Sequence, residues 1–178
     1  MAQAKPVDLH DTDLVPAGVM LLVYPKDGEF CVLLNKRTQL VEHHKGEISF
    51  PGGAMDPEDA TILDTALRET YEEMGVSRED VDVLGRLDQV STGSRFSITP
   101  FVGAIAGAYA FKASNVEVAE VLEVPLPALL NAVNGREEAM LGERMARGYS
   151  YSFGEHVIFG ATARILTQFL GLIIPILR

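Results

Sequence analysis

Phe50-Pro51-Gly52-Gly53 and, one loop later, Leu67-Arg68-Glu69-Thr70-Tyr71-Glu72-Glu73-Met74-Gly75-Val76 are the stretches whose reading decides the fold. The first is a breaker, since proline fixes φ and glycine admits backbone angles closed to other residues. The second has helical periodicity and stops at Gly75, a residue suited to a left-handed helix cap. Two starts are open for this helix. Asp56-Pro57 offers an N-cap and a first-turn proline, while Thr61 with Asp64 offers a later start resembling a capping box. With Leu63 at zero and about 100° per residue, Leu67, Thr70 and Met74 fall at about 40°, about -20° and about 20°. Glu69, Glu72 and Glu73 fall at about 240°, about 180° and about 280°. An apolar stripe and a carboxylate cluster thus occupy opposite faces, and the i+3 and i+4 spacings from Glu69 bring the three carboxylates within mutual reach.

Three glutamates alone read more often as a solvated helix face. Like charges at these spacings cost a helix roughly 0.2–0.5 kcal/mol per pair, and a divalent cation removes that cost. Oxygen donors with no nearby His or Cys suit a hard ion, Mg²⁺ or Mn²⁺. Such an ion shares its shell with substrate phosphates and serves hydrolysis at phosphorus. Two neighbours favour this reading. The glycines at 52 and 53 permit close backbone approach to a ligand, and Arg68 can hold a carboxylate by a bidentate pair.

Outward from the helix, residues 17–24 and 30–35 read as strands around a turn at 25–28, and residues 48–50 as a short strand. Residues 81–90, 96–105 and 118–124 read as further strands, 125–132 as a short helix, 149–158 as a hairpin and 161–172 as a final amphipathic helix. The order predicts an α+β or α/β/α layered domain. A chain of 178 residues suggests one domain over 15–178, preceded by a loosely held polar segment at 1–14.

Hydrophobic residues make up 47% of the chain, enough for a core that needs no disulfide or zinc staple. Cys31, the one cysteine, lies in an apolar run and reads as a buried, inert thiol. A net charge of -10 argues against affinity for nucleic-acid backbones, but not against a small phosphorylated ligand accompanied by cations. The longest apolar stretch, 169–177, is short for a bilayer and contains Pro175. A cytoplasmic protein without a membrane partner is the expectation.

Together these residues resemble the Nudix box, Gly-x5-Glu-x7-Arg-Glu-U-x-Glu-Glu-x-Gly-U, where U is apolar. Residues 68–76 match its second half, with Thr70 in an aliphatic position. In the first half, Asp59 stands six residues after Gly53 where the box has Glu, and the loop is one residue longer. The longer loop resembles the branch of Nudix hydrolases that acts on coenzyme A. Its upstream motif, Leu-Leu-Thr-x-Arg-[Ser/Ala]-x3-Arg-x3-Gly-x3-Phe-Pro-Gly-Gly, is similar in register and length to residues 33–53. Arg37, Gly46 and the Phe-Pro-Gly-Gly end match. Asn35, Thr38 and Glu42 depart, the last placing glutamate where the motif has arginine. Blocks at 99–102, 117–126 and 160–166 extend the resemblance.

The resemblance implies a Nudix fold, an α+β domain built as an α/β/α sandwich with a mixed β-sheet between helices, and hydrolysis of a nucleotide diphosphate with Mg²⁺ or Mn²⁺. It makes Glu69 and Glu73 the principal metal ligands, with Glu72 joining them and the Gly52 carbonyl available, and gives Arg68 a structural role. For the general base it points to Glu117 and then Glu120, with Glu72 also in the catalytic set. Substrate contacts fall on Arg37, Gly52, Gly53 and Arg95; Phe96 follows the same loop and reads as core packing, His43 and His44 as solvated and His156 as part of a hairpin. The implied substrate is coenzyme A or an acyl derivative, giving a phosphopantetheine and adenosine 3′,5′-bisphosphate. Glu42 leaves ADP-ribose or another dinucleotide open, and a nucleotide-binding module without catalysis is the other class. A homodimer is a further expectation.

Overall fold

The computed structural model describes residues 5–40, 45–107, 109–132, 138–141, 144–147 and 150–176. Its central strand, β1 (Val15–Lys26), is buried on both faces. Met20, Leu22 and Tyr24 enter one core while Val19 and Leu21 enter another, as the two-residue side-chain period of a strand requires. Along one edge β1 pairs in parallel with β7 (Phe96–Ala104). Its other edge is shared between β2 (Glu29–Arg37), paired from Val23 to Lys26, and β4 (Gly52–Ala54), paired from Ala17 to Val19. The far end of β2 pairs with β3 (Ile48–Ser49), and its outer edge with β8 (Val118–Pro125). β5 (Asp82–Arg86) and β6 (Val90–Ser91) complete an eight-stranded mixed sheet against β7.

Helix α1 (Ile62–Met74) covers one face of this sheet with Ala66, Leu67 and Met74. α2 (Leu126–Ala132) and α3 (Gly160–Ile173) cover the other, chiefly through Leu129, Ile165, Leu166, Phe169 and Leu170. The architecture is the expected mixed sheet between helices. Two small hairpins precede α3: β9 (Glu138–Leu141) with β10 (Arg144–Arg147), which the sequence pattern did not suggest, and β11 (Tyr151–Phe153) with β12 (His156–Ile158). No helix among the described residues is long and apolar enough to cross a membrane.

Three sequence-based boundaries change. The first turn is tighter than 25–28: the strands run on to Lys26 and Glu29, leaving Asp27 and Gly28, both at positive φ as a two-residue hairpin turn demands. The helix takes its later start, because the Thr61 hydroxyl accepts from the Asp64 amide and donates to the Asp64 carboxylate. Asp56 is not the cap; its amide instead donates to Asp59. The strand expected over 81–90 is broken, with a register shift between Val83 and Gly85 and unpaired residues between β5 and β6. Residues 86–89 there hydrogen-bond to the N-terminal segment, with Arg86 gripping Asp8 through two bonds and the Val7 amide donating to Asp88.

Candidate active site

Glu73 sits on the last turn of α1 and is 1% exposed. Its Oε2 accepts from Asn35 Nδ2 at 2.9 Å and from the Gly52 amide at 3.2 Å, and Arg37 Nη1 lies 3.5 Å from Oε1. Glu69, one turn earlier, accepts from Arg68 Nη1 at 2.9 Å. It packs so closely on β4 that a Cβ on Gly53 would lie 2.5 Å from its Oε1. The segment between β7 and β8 then closes on the end of the helix. Lys112 donates its amide to the Met74 carbonyl and Ser114 to the Glu73 carbonyl, supplying two of the partners a helix C-terminus lacks. The Thr38 amide holds the Glu117 carbonyl. Glu69, Glu73 and Glu117 each bring a carboxylate oxygen into a group whose members lie within 4.8 Å of one another.

Glu72 is not in this group. Its exposed carboxylate accepts from Arg68 Nη1 at 3.1 Å. Glu120 is not in the group either: its strand alternation is shared with Leu122 and Val124, which face the α3 core, and its carboxylate meets His156 Nε2 at 3.2 Å. The sequence pattern therefore put Glu72 with its helix neighbours where the fold puts Glu117. Glu42, His43 and His44 lie outside the described residues. Cys31 is buried, and burial raises its thiol pKa, consistent with an inert side chain.

Arg68 organises the loop before the helix. Its guanidinium binds Asp59 through Nε at 3.0 Å and Nη2 at 2.9 Å. Asp59 also accepts from the Thr65 hydroxyl and the Asp56 amide. Arg68 holds the Asp59 carboxyl well below the usual carboxylate range. The residue that departs from the glutamate of the box thus ties the lengthened loop to the helix.

Beside the carboxylates is a cavity of about 510 Å³. Arg37, Gly52, Gly53, Phe96, Phe159 and Arg164 are among its lining residues. Arg37 belongs to both features, lining the cavity and reaching Glu73. Arg95 does not line it, standing instead in an exposed turn at positive φ. Phe159 and Arg164, which sequence reasoning did not single out, come from the start of α3. That helix is anchored by Thr162 Oγ1 donating to the Ile48 carbonyl and by Arg164 donating to the Ser91 carbonyl. A hollow of about 620 Å³ on the outer side of α1, near Glu58, Tyr71 and Arg78, is more open, and neither Glu73 nor Glu117 lines it.

Residues 14–132 match the NUDIX domain. The chain belongs to the Nudix family. A protein of Cronobacter sakazakii named "Uncharacterized Nudix hydrolase NudL" is 43% identical over 140 residues, 77% of this chain and 72% of that protein. A MutT/nudix family protein from Enterococcus faecalis has a similar fold, with a TM-score of 0.59 over 94% of this chain and 64% of that one at 18% identity. The NUDIX domain of Shewanella oneidensis NrtR, solved in complex with ADP ribose, gives a TM-score of 0.51 at 22% identity, covering 66% of this chain and 77% of that one. The chain is thus a Nudix hydrolase, a pyrophosphohydrolase of nucleotide-type substrates, in a family that generally uses divalent metal ions.

The electrostatics of this Nudix site suit such an ion. Burial pushes the Glu73 carboxyl up to about 8 from its ordinary 4.5, with Arg37 opposing and Glu69 and Glu117 reinforcing the shift. Burial also raises Glu69. A group whose pKa is raised on folding holds more protons folded than unfolded, so its contribution to stability is complete below about 4.5 and lost as pH rises through about 8. In chelator-treated protein, Glu73→Gln should therefore gain stability relative to wild type between pH 5.5 and pH 8.5, roughly the interval between the two pKa values. Urea unfolding at both pH values measures it; a difference that stays constant with pH would show that Glu73 is ionised throughout.

Proposed function

We propose that the chain hydrolyses the diphosphate of coenzyme A or an acyl-coenzyme A, giving a phosphopantetheine and adenosine 3′,5′-bisphosphate, with Mg²⁺ or Mn²⁺ as the metal. The observation that carries the reaction is the group of three carboxylates, Glu69, Glu73 and Glu117, with ligand oxygens within 4.8 Å of one another. An all-oxygen donor set in which one carboxylate is almost fully desolvated fits a hard divalent ion and is costly without one. When bound, such an ion offsets diphosphate charge and lowers the pKa of a nearby water.

The chain's own groups do the rest. Glu117, on a loop rather than the helix, is the base that takes the proton of the attacking water. That water bonds to one phosphorus as the bridging oxygen departs with the other phosphate. Arg37, whose Nε is buried without a hydrogen-bond partner among the described residues, offers its guanidinium to the diphosphate. Gly53 lets the Glu69 carboxylate approach the strand, and Gly52 donates its amide to Glu73. Support for coenzyme A is the match of residues 33–53 in register with the upstream motif, together with a cavity of about 510 Å³ beside the carboxylates for the non-phosphate portion. Glu42, which puts a negative charge where that motif has a positive one, favours ADP-ribose as a second reading.

The test is a panel of coenzyme A, acetyl-coenzyme A, ADP-ribose and diadenosine substrates with Mg²⁺ or Mn²⁺ in isotopically labelled water. The expected result is highest kcat/KM for the two coenzyme A compounds, with the label in one phosphate product. A kcat/KM about tenfold higher for ADP-ribose, or about 1.4 kcal/mol, would establish the second reading. No turnover of any of them would leave only the binding-module class.

A further inference from the structure

Asn35 is 1% exposed, and its side-chain amide lies between two groups on different elements. On one side its Nδ2 donates to Glu73 Oε2 at 2.9 Å. On the other its Oδ1 accepts from the Ser49 hydroxyl at 2.8 Å. Asn35 and Ser49 are direct cross-strand partners of β2 and β3, so the sheet register fixes their separation. The Gly52 amide donates to the same Glu73 oxygen at 3.2 Å. Oε2 of Glu73 thus accepts two hydrogen bonds, while Oε1 carries only the 3.5 Å contact with Arg37 among the described residues.

That asymmetry has a chemical consequence. A carboxylate with one oxygen saturated by donors cannot rotate freely, and its other oxygen is the one left for a cation. An asparagine amide can sit in either of two orientations, and the flipped one would set its carbonyl oxygen against the carboxylate. Ser49, donating to Oδ1, selects the productive orientation. We propose that Asn35 is a positioning residue for the reaction, holding Glu73 so that a single oxygen faces the cation, and that Ser49 acts on Glu73 only through Asn35. This rests on the reading of Glu69 and Glu73 as cation ligands with Glu117 beside them. It concerns a residue at which the chain departs from the threonine of the upstream motif.

The experiment is calorimetric titration of the substrate-free protein with Mn²⁺, using wild type, Asn35→Leu, Ser49→Ala and the double variant, alongside kcat and KM. Removing a group that orients a metal ligand typically costs roughly 10–100-fold in affinity, and that range is expected for Asn35→Leu. Ser49→Ala should weaken Mn²⁺ by several fold, and the double variant should be no weaker than Asn35→Leu, since the relay runs through one residue. KM for substrate measured at saturating Mn²⁺ should change less than kcat. An Asn35→Leu affinity within twofold of wild type, or effects of the two substitutions that simply add, would overturn the proposal. If Asn35→Leu fails to fold, a wild-type Mn²⁺ affinity in Ser49→Ala overturns it alone. Absence of Mn²⁺ binding by wild type is a different result and would refute the cation site itself.

Discussion

Glu69→Gln should lower kcat by about 10³-fold with the fold intact, because on the proposed reading it removes one anionic ligand from a site that stabilises transition-state charge, a loss of several kcal/mol. The amide matches the carboxylate in size, and its partners Arg68 and Gly53 can stay in place. Glu73→Gln and Glu117→Gln should fall in the same range, since all three carboxylates share one site. Glu72→Gln is the discriminating control. It lies outside the group and is half exposed, its contact being a surface pair with Arg68. Its kcat should fall by less than about tenfold. Steady-state kinetics on the four variants, each checked by thermal unfolding, separates the two sets. A loss at Glu72 as large as that at Glu69 would refute its exclusion from the site, and a loss below about tenfold at Glu117 would refute a site built on Glu117.

The contrast between Glu72 and Glu117 shows how far the sequence could be read. A period of about 3.6 residues puts Leu67, Thr70 and Met74 on one buried side of α1, but opposite faces for stripe and glutamates hold only for the exposed Glu72. Glu73 is buried along with Thr65 and Ala66, because the helix end is closed over by other segments. The Phe50–Gly53 entry, the paired strands and the layered architecture were legible because each rests on a local pattern. Glu117 was legible only as a candidate base, because its position depends on an irregular segment whose amides at Lys112 and Ser114 cap α1. Helical spacing carries no information about that closure. The placement of Glu120 was hidden for a similar reason. It is three residues from Glu117, yet β8 and the register shift opposite Lys36 and Arg37 carry it to the other face of the sheet. Phe159 and Arg164 reach the cavity only because α3 docks on Ile48 and Ser91, contacts more than seventy residues apart in the chain. Asn35 looked like a mild departure from a motif, and its bond to Glu73 joins β2 to α1 across 38 residues.

Gly18→Ala should destabilise the fold and the site together. Gly18 is the point of β1 over which α1 passes. An added Cβ would lie 2.5 Å from the Ile62 carbonyl oxygen and 3.1 Å from the Ala66 amide nitrogen, both backbone atoms that cannot turn aside as a side chain can. The helix must lift, and overpacking of this kind costs about 1–3 kcal/mol. Loss of backbone freedom in the unfolded chain offsets only about 0.4–1 kcal/mol, so the clash decides the sign. A net loss of about 1.3 kcal/mol lowers Tm by roughly 3–5 °C in a domain of this size. The effect extends to the chemistry because Gly18 is paired in the sheet with Gly53, the residue that touches Glu69. Lifting α1 moves Glu69 away from β4 and from Glu117, so Mn²⁺ affinity should fall together with Tm. Gly53→Ala separates the two effects. Its Cβ would meet the Glu69 carboxylate, the mobile end of a side chain, at 2.5 Å. That variant should keep most of its stability while losing Mn²⁺ affinity and kcat. Thermal unfolding with chelator, paired with Mn²⁺ titration, reads both quantities in both variants. A Gly18→Ala protein as stable as wild type would mean that α1 does not rest on β1 at this point.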